Sequence, residues 1–406
     1  MTEKIRILFV DDEPHVLNGL RRAISAVSRD WEMTFCGSGE EAIARMAQMP
    51  FDVVVTDMRM PEIDGAQLLE IVRTNYPATV RIILSGYADT TTILRTIGPA
   101  HAYLAKPCDS RALAEAIARP LALRRMMTSA GMHRAIGGLV NLPSLPSLFL
   151  EIEAELRSPN SSIRAVADII NRDVAMTAEI LKLTNSAFFS VGSKISTTLQ
   201  AVRTLGLETV QALVLRIGLF RQFSGNNPNT LAMITALTDH SMTIARLAEA
   251  IAISEGADSL TAKAASCAGM LCYVGMIILL DSQSDDYRKV LARVTTETPL
   301  DQLEQETFGA NHALIGAYLL GLWGFSEPIV EAIALSCHPR RTTHQENILL
   351  TALHAARALG PPIPWLPPGY RDVPALDRIY LEACRGNSPT TAWEILATTP
   401  HDEVRR

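Results

Sequence analysis

The first 125 residues alternate between short apolar runs and amphipathic stretches. The runs at 5–10, 32–36, 52–56, 80–84 and 102–105 are brief, largely β-branched or aliphatic, and closed by turn residues. That is the pattern of strands buried in a parallel sheet. Between them Val16, Leu17, Leu20, Ile24 and Val27 recur at helical spacing, and 40–49, 66–74, 90–96 and 109–123 read as further helices. Pro14 suits a first helical turn, and Asp109 or Ser110 caps the last helix. Strands and helices in strict alternation predict an α/β layer with right-handed crossovers.

Beyond about residue 130 the strand signal stops. Gly131 and then Gly137-Gly138 break the pattern. Ile163, Val166, Ile169 and Ile170 then recur at helical spacing, as do Ile180, Leu181 and Leu183, and Leu199, Val202 and Leu205. Residues 231–253, 263–280, 302–308, 313–323 and 327–336 continue the helical period, with Gly206 and Gly309 as stops. The prediction is a multidomain chain: an α/β domain over 1–125, a linker helix over 126–140, an all-α domain over 141–345 and a helical extension over 346–406. In that extension 348–359, 376–384 and 391–396 read as helices. The proline-rich 361–369 reads as a strap.

Composition narrows the setting. At 406 residues the chain has room for two or three domains. A net charge of −6 argues against a nucleic-acid surface spread over the chain. The six cysteines are scattered with no CxxC pair, which fits reduced thiols in a cytoplasm. The apolar run at the N-terminus is too short for a signal peptide. The run 267–280 falls short of the roughly 20 residues of a membrane span and reads as a buried core helix.

Candidate chemistry collects at one place. Asp11, Asp12, Asp57, Ser85 and Lys106 each follow or end a predicted strand. The carboxyl ends of parallel strands converge on one crevice. Three carboxylates together repel one another, and an all-oxygen cluster suits Mg²⁺. Asp57 can then attack a phosphoryl group in line, Lys106 can neutralise its oxygens, and the Ser85 hydroxyl can donate to one of them.

With FVDDEP, VVVTDMRMP followed by DG, ILSGYAD and YLAKP, residues 4–120 resemble the receiver domain of two-component response regulators. The resemblance implies a flavodoxin-like, five-stranded parallel sheet. It implies Asp57 as phosphoacceptor for a sensor histidine kinase, and Mg²⁺ held by Asp11, Asp12, Asp57 and the backbone carbonyl of Arg59. Ser85 and Lys106 match the phosphoryl contacts, and Tyr103 matches the switch aromatic. The GPAHA before Tyr103 departs from the family pattern, with Pro99 shortening the preceding helix.

LPSLPSL at 142–148, ADIINRDVAMTAEILKLTNSAFF at 167–189, ISTTLQAVRTLGLETVQALVL at 195–215 and the stretch 307–339 resemble the HDOD domain, a branch of the HD phosphohydrolase superfamily. HD hydrolases bind metal through histidines and an adjacent His-Asp pair. Here Cys272 and Tyr273 stand at that pair, with Met276 where a lysine often falls. A tyrosine does not replace a bridging carboxylate at neutral pH. His240, His312 and His338, with Cys272 and Cys337, are the residual candidates for a metal, and core or surface roles suit them better. Trp323 and Phe325 read as core, with surface anchoring as the alternative.

These readings predict a non-enzymatic response regulator whose HDOD domain carries no cofactor and acts by protein–protein interaction or ligand binding. Its partners would be a sensor histidine kinase, a downstream protein and a second copy of the chain, with no nucleic acid and no membrane. The alternative is a phosphorylation-regulated, metal-dependent phosphohydrolase acting on a substrate such as a cyclic dinucleotide. Direct DNA contact ranks last, because no basic recognition helix is visible.

Overall fold

The computed structural model describes residues 4–25, 31–85, 99–107, 109–127, 129–137, 139, 142–144, 146–185, 195–217, 221–222, 228–342, 347–368, 370–373, 375–385 and 390–398. They form two compact units, one mainly of residues up to Asn141 and the other mainly of residues from Leu142 onward.

In the first unit β1 (Ile5–Val10), α1 (Pro14–Ser25), β2 (Trp31–Cys36), α2 (Gly39–Gln48), β3 (Val53–Asp57), α3 (Gly65–Asn75), β4 (Val80–Ser85), β5 (Ala102–Ala105), α4 (Ser110–Arg125) and α5 (Ala130–Gly137) follow in order. The five strands are parallel, arranged β2-β1-β3-β4-β5. Val53, Val54 and Val55 are all fully buried, as expected of a central strand covered on both faces. The register pairs Val10 with Thr56, Asp57 with Leu84, and Ser85 with Ala105. That alignment brings the carboxyl ends of β1, β3, β4 and β5 to one edge.

Local chemistry fixes the helix starts. The Ser38 side chain accepts from the Glu41 N–H, and Asp64 and Gln67 form a reciprocal capping box on α3. Asp109 caps α4 by accepting from the Arg111 N–H. The helix expected over 90–96 lies outside the described residues. Gly131 does not break the chain: it lies inside α5, which ends at Gly137.

The second unit is mostly helical. It runs through the two-residue β6 (Pro143–Ser144), α6 (Pro146–Arg157), α7 (Ile163–Ile170), α8 (Val174–Thr184), α9 (Thr198–Leu205), α10 (Leu207–Ile217) and β7 (Arg221–Gln222). α11 (Pro228–Ser254), α12 (Ser259–Leu271), α13 (Val274–Ser282), α14 (Ser284–Leu291), α15 (Leu300–Phe308), α16 (His312–Leu322) and α17 (Glu327–Leu335) come next. A 3₁₀ turn (Pro339–Arg341) precedes α18 (Ile348–Leu359), α19 (Arg378–Arg385) and α20 (Thr391–Thr398). The pairing of β6 with β7 is a small departure from an all-α expectation.

Gly206 and Gly309 end their helices at positive φ, as the pattern predicts. The apolar stretch is longer than the sequence suggested. Ser259–Ser282 is long and apolar enough to cross a membrane, yet 83% of its most apolar window is buried inside the protein. Burial, not length, marks it as core. α18 is also central: residues 349–358 are all buried, packed on α11, α12 and α17. The strap at 361–368 buries Ile363 and Leu366.

Candidate functional site

At the carboxyl edge of the sheet two carboxylates share one ammonium. Asp11, just past β1, is 1% exposed and Asp57, at the end of β3, is 8% exposed. Lys106, just past β5, places Nζ 2.6 Å from Asp11 Oδ2 and against Asp57 Oδ1. Each carboxylate also accepts one backbone N–H. Glu13 donates to Asp11 Oδ1 at 3.0 Å, and Arg59 donates to Asp57 Oδ2 at 2.6 Å. Burial alone would lower the lysine pKa, but its hydrogen bonds to Asp11 and Asp57 and their charges outweigh that and raise it.

Gly65 sets the turn after β3. A Cβ there would lie 2.1 Å from the Asp57 carbonyl oxygen, and its N–H donates to Met58 O at 3.0 Å. Only glycine lets the α3 N-terminus come this close to the Asp57 backbone.

Asp12 is exposed beside Asp11. Ser85 ends β4, and its side chain lies outside the described atoms. Tyr103 is 7% exposed and belongs to the same buried core as Met58, Met60 and Ile83. Of the predicted set, Asp11, Asp57 and Lys106 are in direct contact, and Arg59 joins through its N–H. Two buried carboxylates against one ammonium leave a net negative charge, to which Asp12 adds. A hard divalent cation with oxygen ligands fits that donor set.

The helical unit holds a second cluster that spacing alone did not reveal. Arg357, from α18, is 1% exposed and forms an ion pair with buried Asp372. Its Nη2 donates to His312 Nε2 at 3.0 Å, and its Nη1 donates to Ser336 Oγ at 2.5 Å. Its guanidinium lies 4.9 Å from the centre of the Tyr273 ring. Since arginine only donates, His312 Nε2 accepts and Nδ1–H donates to Glu304 Oε2 at 2.7 Å. The His312 N–H and the Tyr287 hydroxyl complete the Glu304 carboxylate, at 2.8 and 2.7 Å. His240 Nε2 meets the Tyr273 hydroxyl at 3.3 Å.

Environment sets the protonation of this cluster. Burial, then the nearby Asp372 charge, pushes the Tyr273 hydroxyl well above its ordinary range. Burial pushes the Cys272 thiol up to about 12 and His240 down to about 4. Asp372 is held low: burial opposes its charge, and the Arg357 charge outweighs burial.

The structure separates the residual metal candidates. His240, His312 and Cys272 are buried, while His338 is exposed and pairs with Asp301 at 3.0 Å. Both nitrogens of His312 are engaged. Among the described residues no three His, Cys, Asp or Glu are grouped to hold a metal. Trp323 and Phe325 are each 2% exposed and belong to the core. A cavity of about 540 Å³ opens beside the cluster, lined in part by Asp301, Cys337, His354, Tyr370 and Asp372.

Sequence spacing missed Arg357 and Asp372. The available signal was an arginine inside the otherwise apolar ILLTALHAARAL.

Comparison with known proteins places both regions. Residues 7–118 match the response regulator receiver domain, and residues 142–339 match the HDOD domain. An uncharacterised protein of Treponema pallidum is 26% identical over 198 residues, 48% of this chain and 37% of that protein. The hydrogenase transcriptional regulatory protein HoxA of Cupriavidus necator is 29% identical over 180 residues, 41% of this chain and 36% of that one. The regulatory protein AtoC of Escherichia coli is 34% identical over 127 residues, 31% of this chain and 27% of that one. The chain thus spans little more than a third of these relatives at most. Among solved structures, the MmoQ response regulator of Methylococcus capsulatus is similar over 64% of this chain and 98% of its own, at 21% identity and a TM-score of 0.44. The signal receiver domain of an HD domain-containing protein from Pseudomonas fluorescens covers 30% of this chain and 94% of its own, at 30% identity and a TM-score of 0.27.

Proposed function

The chain joins a response regulator receiver domain to an HDOD domain, and from that premise we propose that it is a phosphorylation-controlled regulator whose HDOD domain works without catalysis. Asp57 is the phosphoacceptor. The observation that carries this is the contact of Lys106 with both Asp57 and Asp11 at the end of the sheet.

An oxygen of Asp57 bonds to phosphorus as the bond to the donor nitrogen of a kinase histidine breaks. The electron pair of that bond returns to the imidazole. The Arg59 N–H holds the Asp57 carboxylate in place. Lys106 exchanges part of its contact with Asp57 for the incoming phosphoryl oxygens. Asp11, Asp12, Asp57 and the carbonyl of Arg59 would hold Mg²⁺, whose charge would offset that of the phosphoryl group. Ser85 and Tyr103 are then the positions that respond to the new charge.

For the helical domain, Arg357 supports the non-catalytic reading. A hydrolase of this superfamily needs unengaged ligands around a metal. Here a fixed guanidinium lies against His312 and Tyr273, and Tyr273 stands where the family has an aspartate. The output is binding: a downstream protein meets the domain surface, or a small ligand enters the cavity beside Asp372.

Labelling with acetyl phosphate and Mg²⁺ tests the receiver half. Wild type takes up phosphate and Asp57→Asn does not. Equal uptake by the two would overturn the assignment. For the HDOD half, metal analysis and hydrolysis of a cyclic dinucleotide by the purified full chain decide. Turnover lost on His312→Ala would establish the phosphohydrolase instead.

A further inference from the structure

Arg81, in β4, is 0% exposed. An arginine is seldom fully buried, and burying its charge is costly unless its donors are satisfied. Its donors reach three separate segments. Nε donates to Pro99 O at 2.6 Å. Nη1 donates to Thr79 O at 3.2 Å and Pro77 O at 3.4 Å. Nη2 donates to Gly137 O at 2.7 Å, at the end of α5.

His101 completes the same arrangement. The Arg81 backbone N–H donates to His101 Nδ1 at 3.1 Å, and His101 Nε2 lies 3.0 Å from Gly137 O and 2.7 Å from Arg81 Nη2. The last carbonyls of a helix lack partners within it and carry partial negative charge. A guanidinium donating to one of them, with an imidazole edge packed beside it, forms a built site for a helix end.

Steric fit adds specificity. A Cβ on Gly137 would lie 2.1 Å from Pro77 O, so the helix end and the 77–79 turn touch backbone to backbone. Met132 and Ile136 are buried on the same helix, and His133 Nε2 meets Arg124 O at 3.1 Å. Leu142 of the second unit lies a few residues beyond Gly137.

We propose that Arg81 and His101 form a socket for the carboxyl end of α5, and that phosphorylation of Asp57 changes the hold of this socket on the segment leading into the HDOD domain. This rests on the proposed role of Asp57. The route is along two strands. Arg81 lies four positions before Ser85 on β4, and His101, which donates its N–H to Arg81 O at 2.8 Å, immediately precedes β5, two positions before Tyr103. A shift at the phosphoacceptor end of these paired strands therefore reaches the α5 contact directly. The socket gives the linker two states, seated and released, and couples them to the sheet.

The test is amide hydrogen exchange on the full chain, with and without beryllium fluoride and Mg²⁺ as phosphoryl mimic. Wild type is compared with Gly137→Ala and Arg81→Met. Alanine favours an isolated helix over glycine, so faster exchange in Gly137→Ala reports lost seating, not lost helicity. The expected result is that α5 amides exchange about tenfold faster in both variants. Acetyl phosphate uptake at Asp57 stays at the wild-type rate in Gly137→Ala. The mimic should change wild-type α5 exchange and leave Gly137→Ala unchanged. Wild-type exchange in Gly137→Ala overturns the socket, whatever happens to Arg81→Met. Normal Asp57 uptake with no effect of the mimic on wild-type α5 overturns the coupling. Absent uptake instead refutes the role of Asp57 and the coupling that rests on it, while the unphosphorylated comparison still decides the socket.

Discussion

Arg357 donates to His312 across 45 residues of sequence, at 3.0 Å, in the middle of the helical unit. The same guanidinium pairs with Asp372, so one arginine joins α18, the N-terminus of α16 and the loop before α19. Arg357→Met leaves the Asp372 charge buried without its counter-ion. Loss of one partner of a buried pair costs about 3–5 kcal/mol. The double variant Arg357→Met with Asp372→Leu removes both charges and recovers much of that loss. Urea unfolding of the three proteins decides. A single variant as stable as wild type would contradict a structural role for the pair.

Acid should loosen this core before it touches the carboxylates. His240 is held near pKa 4 by burial, with Asp372 opposing and Arg357 reinforcing the shift. His354 is also lowered, chiefly by burial, and His101 lies well below its ordinary value through burial and then Arg81. An unfolded histidine titrates near 6.5. Between pH 6.5 and 4 the unfolded chain therefore binds a proton that folded His240 refuses. Stability is full above about pH 6.5 and falls as pH drops toward 4, by on the order of 3 kcal/mol for His240. Asp301 is held below the ordinary carboxylate range by its hydrogen bond to His338, and Asp372 and Asp377 are held low because Arg357 and Arg340 outweigh burial, so their losses come at lower pH. The urea midpoint should drop from pH 7.5 to pH 5, and less so in His240→Gln. A midpoint that stays level or rises on acidification would contradict the buried neutral histidines.

The receiver half was legible because its chemistry sits at strand ends. A strand announces its own end, so Asp57 and Lys106 could be located before their contact was seen. Parallel pairing then makes that contact a consequence of topology. The helical half was legible only as helices. The resemblance sets Tyr273 at the position of an aspartate, but says nothing of what surrounds it. Arg357 and Asp372 come from a stretch without a motif, and a helix period says which face is buried, not which distant side chain meets it. The apolar run at 267–280 shows the same limit. Its length misled, because the apolar stretch Ser259–Ser282 runs through α12 and α13, well beyond the run itself. Arg81 was hidden for a related reason: one arginine in a strand reads as an edge residue until its acceptors are known.

Gly65→Ala tests how tightly the Asp57 turn is built. The added methyl would meet the Asp57 carbonyl oxygen at 2.1 Å. Backbone cannot yield as a side chain does, so the start of α3 must shift away from β3. The expected cost is about 2 kcal/mol or more, with slower acetyl phosphate uptake because the carboxylate moves with its backbone. Thermal unfolding and labelling of the same sample check both. Wild-type stability together with wild-type uptake would mean that the turn is not under this constraint.

Lys106→Ala separates charge from geometry at the crevice. The ammonium neutralises Asp11 and Asp57 in the unphosphorylated protein. A divalent cation seeking the same oxygens works against that fixed positive charge. Removing it leaves two buried carboxylates that repel each other, and Mg²⁺ becomes the cation able to relieve them. Affinity for Mg²⁺ should rise by about tenfold, equivalent to about 1.4 kcal/mol. Asp57 uptake should fall, because the same ammonium no longer meets the incoming phosphoryl oxygens. Calorimetric Mg²⁺ titration of wild type, Lys106→Ala and Asp57→Asn measures the first effect, and acetyl phosphate labelling the second. Weaker Mg²⁺ binding in Lys106→Ala would mean that the lysine organises the carboxylates for the metal instead of competing with it. Tighter Mg²⁺ binding with undiminished uptake would remove Lys106 from phosphoryl transfer and leave it as a counter-charge alone.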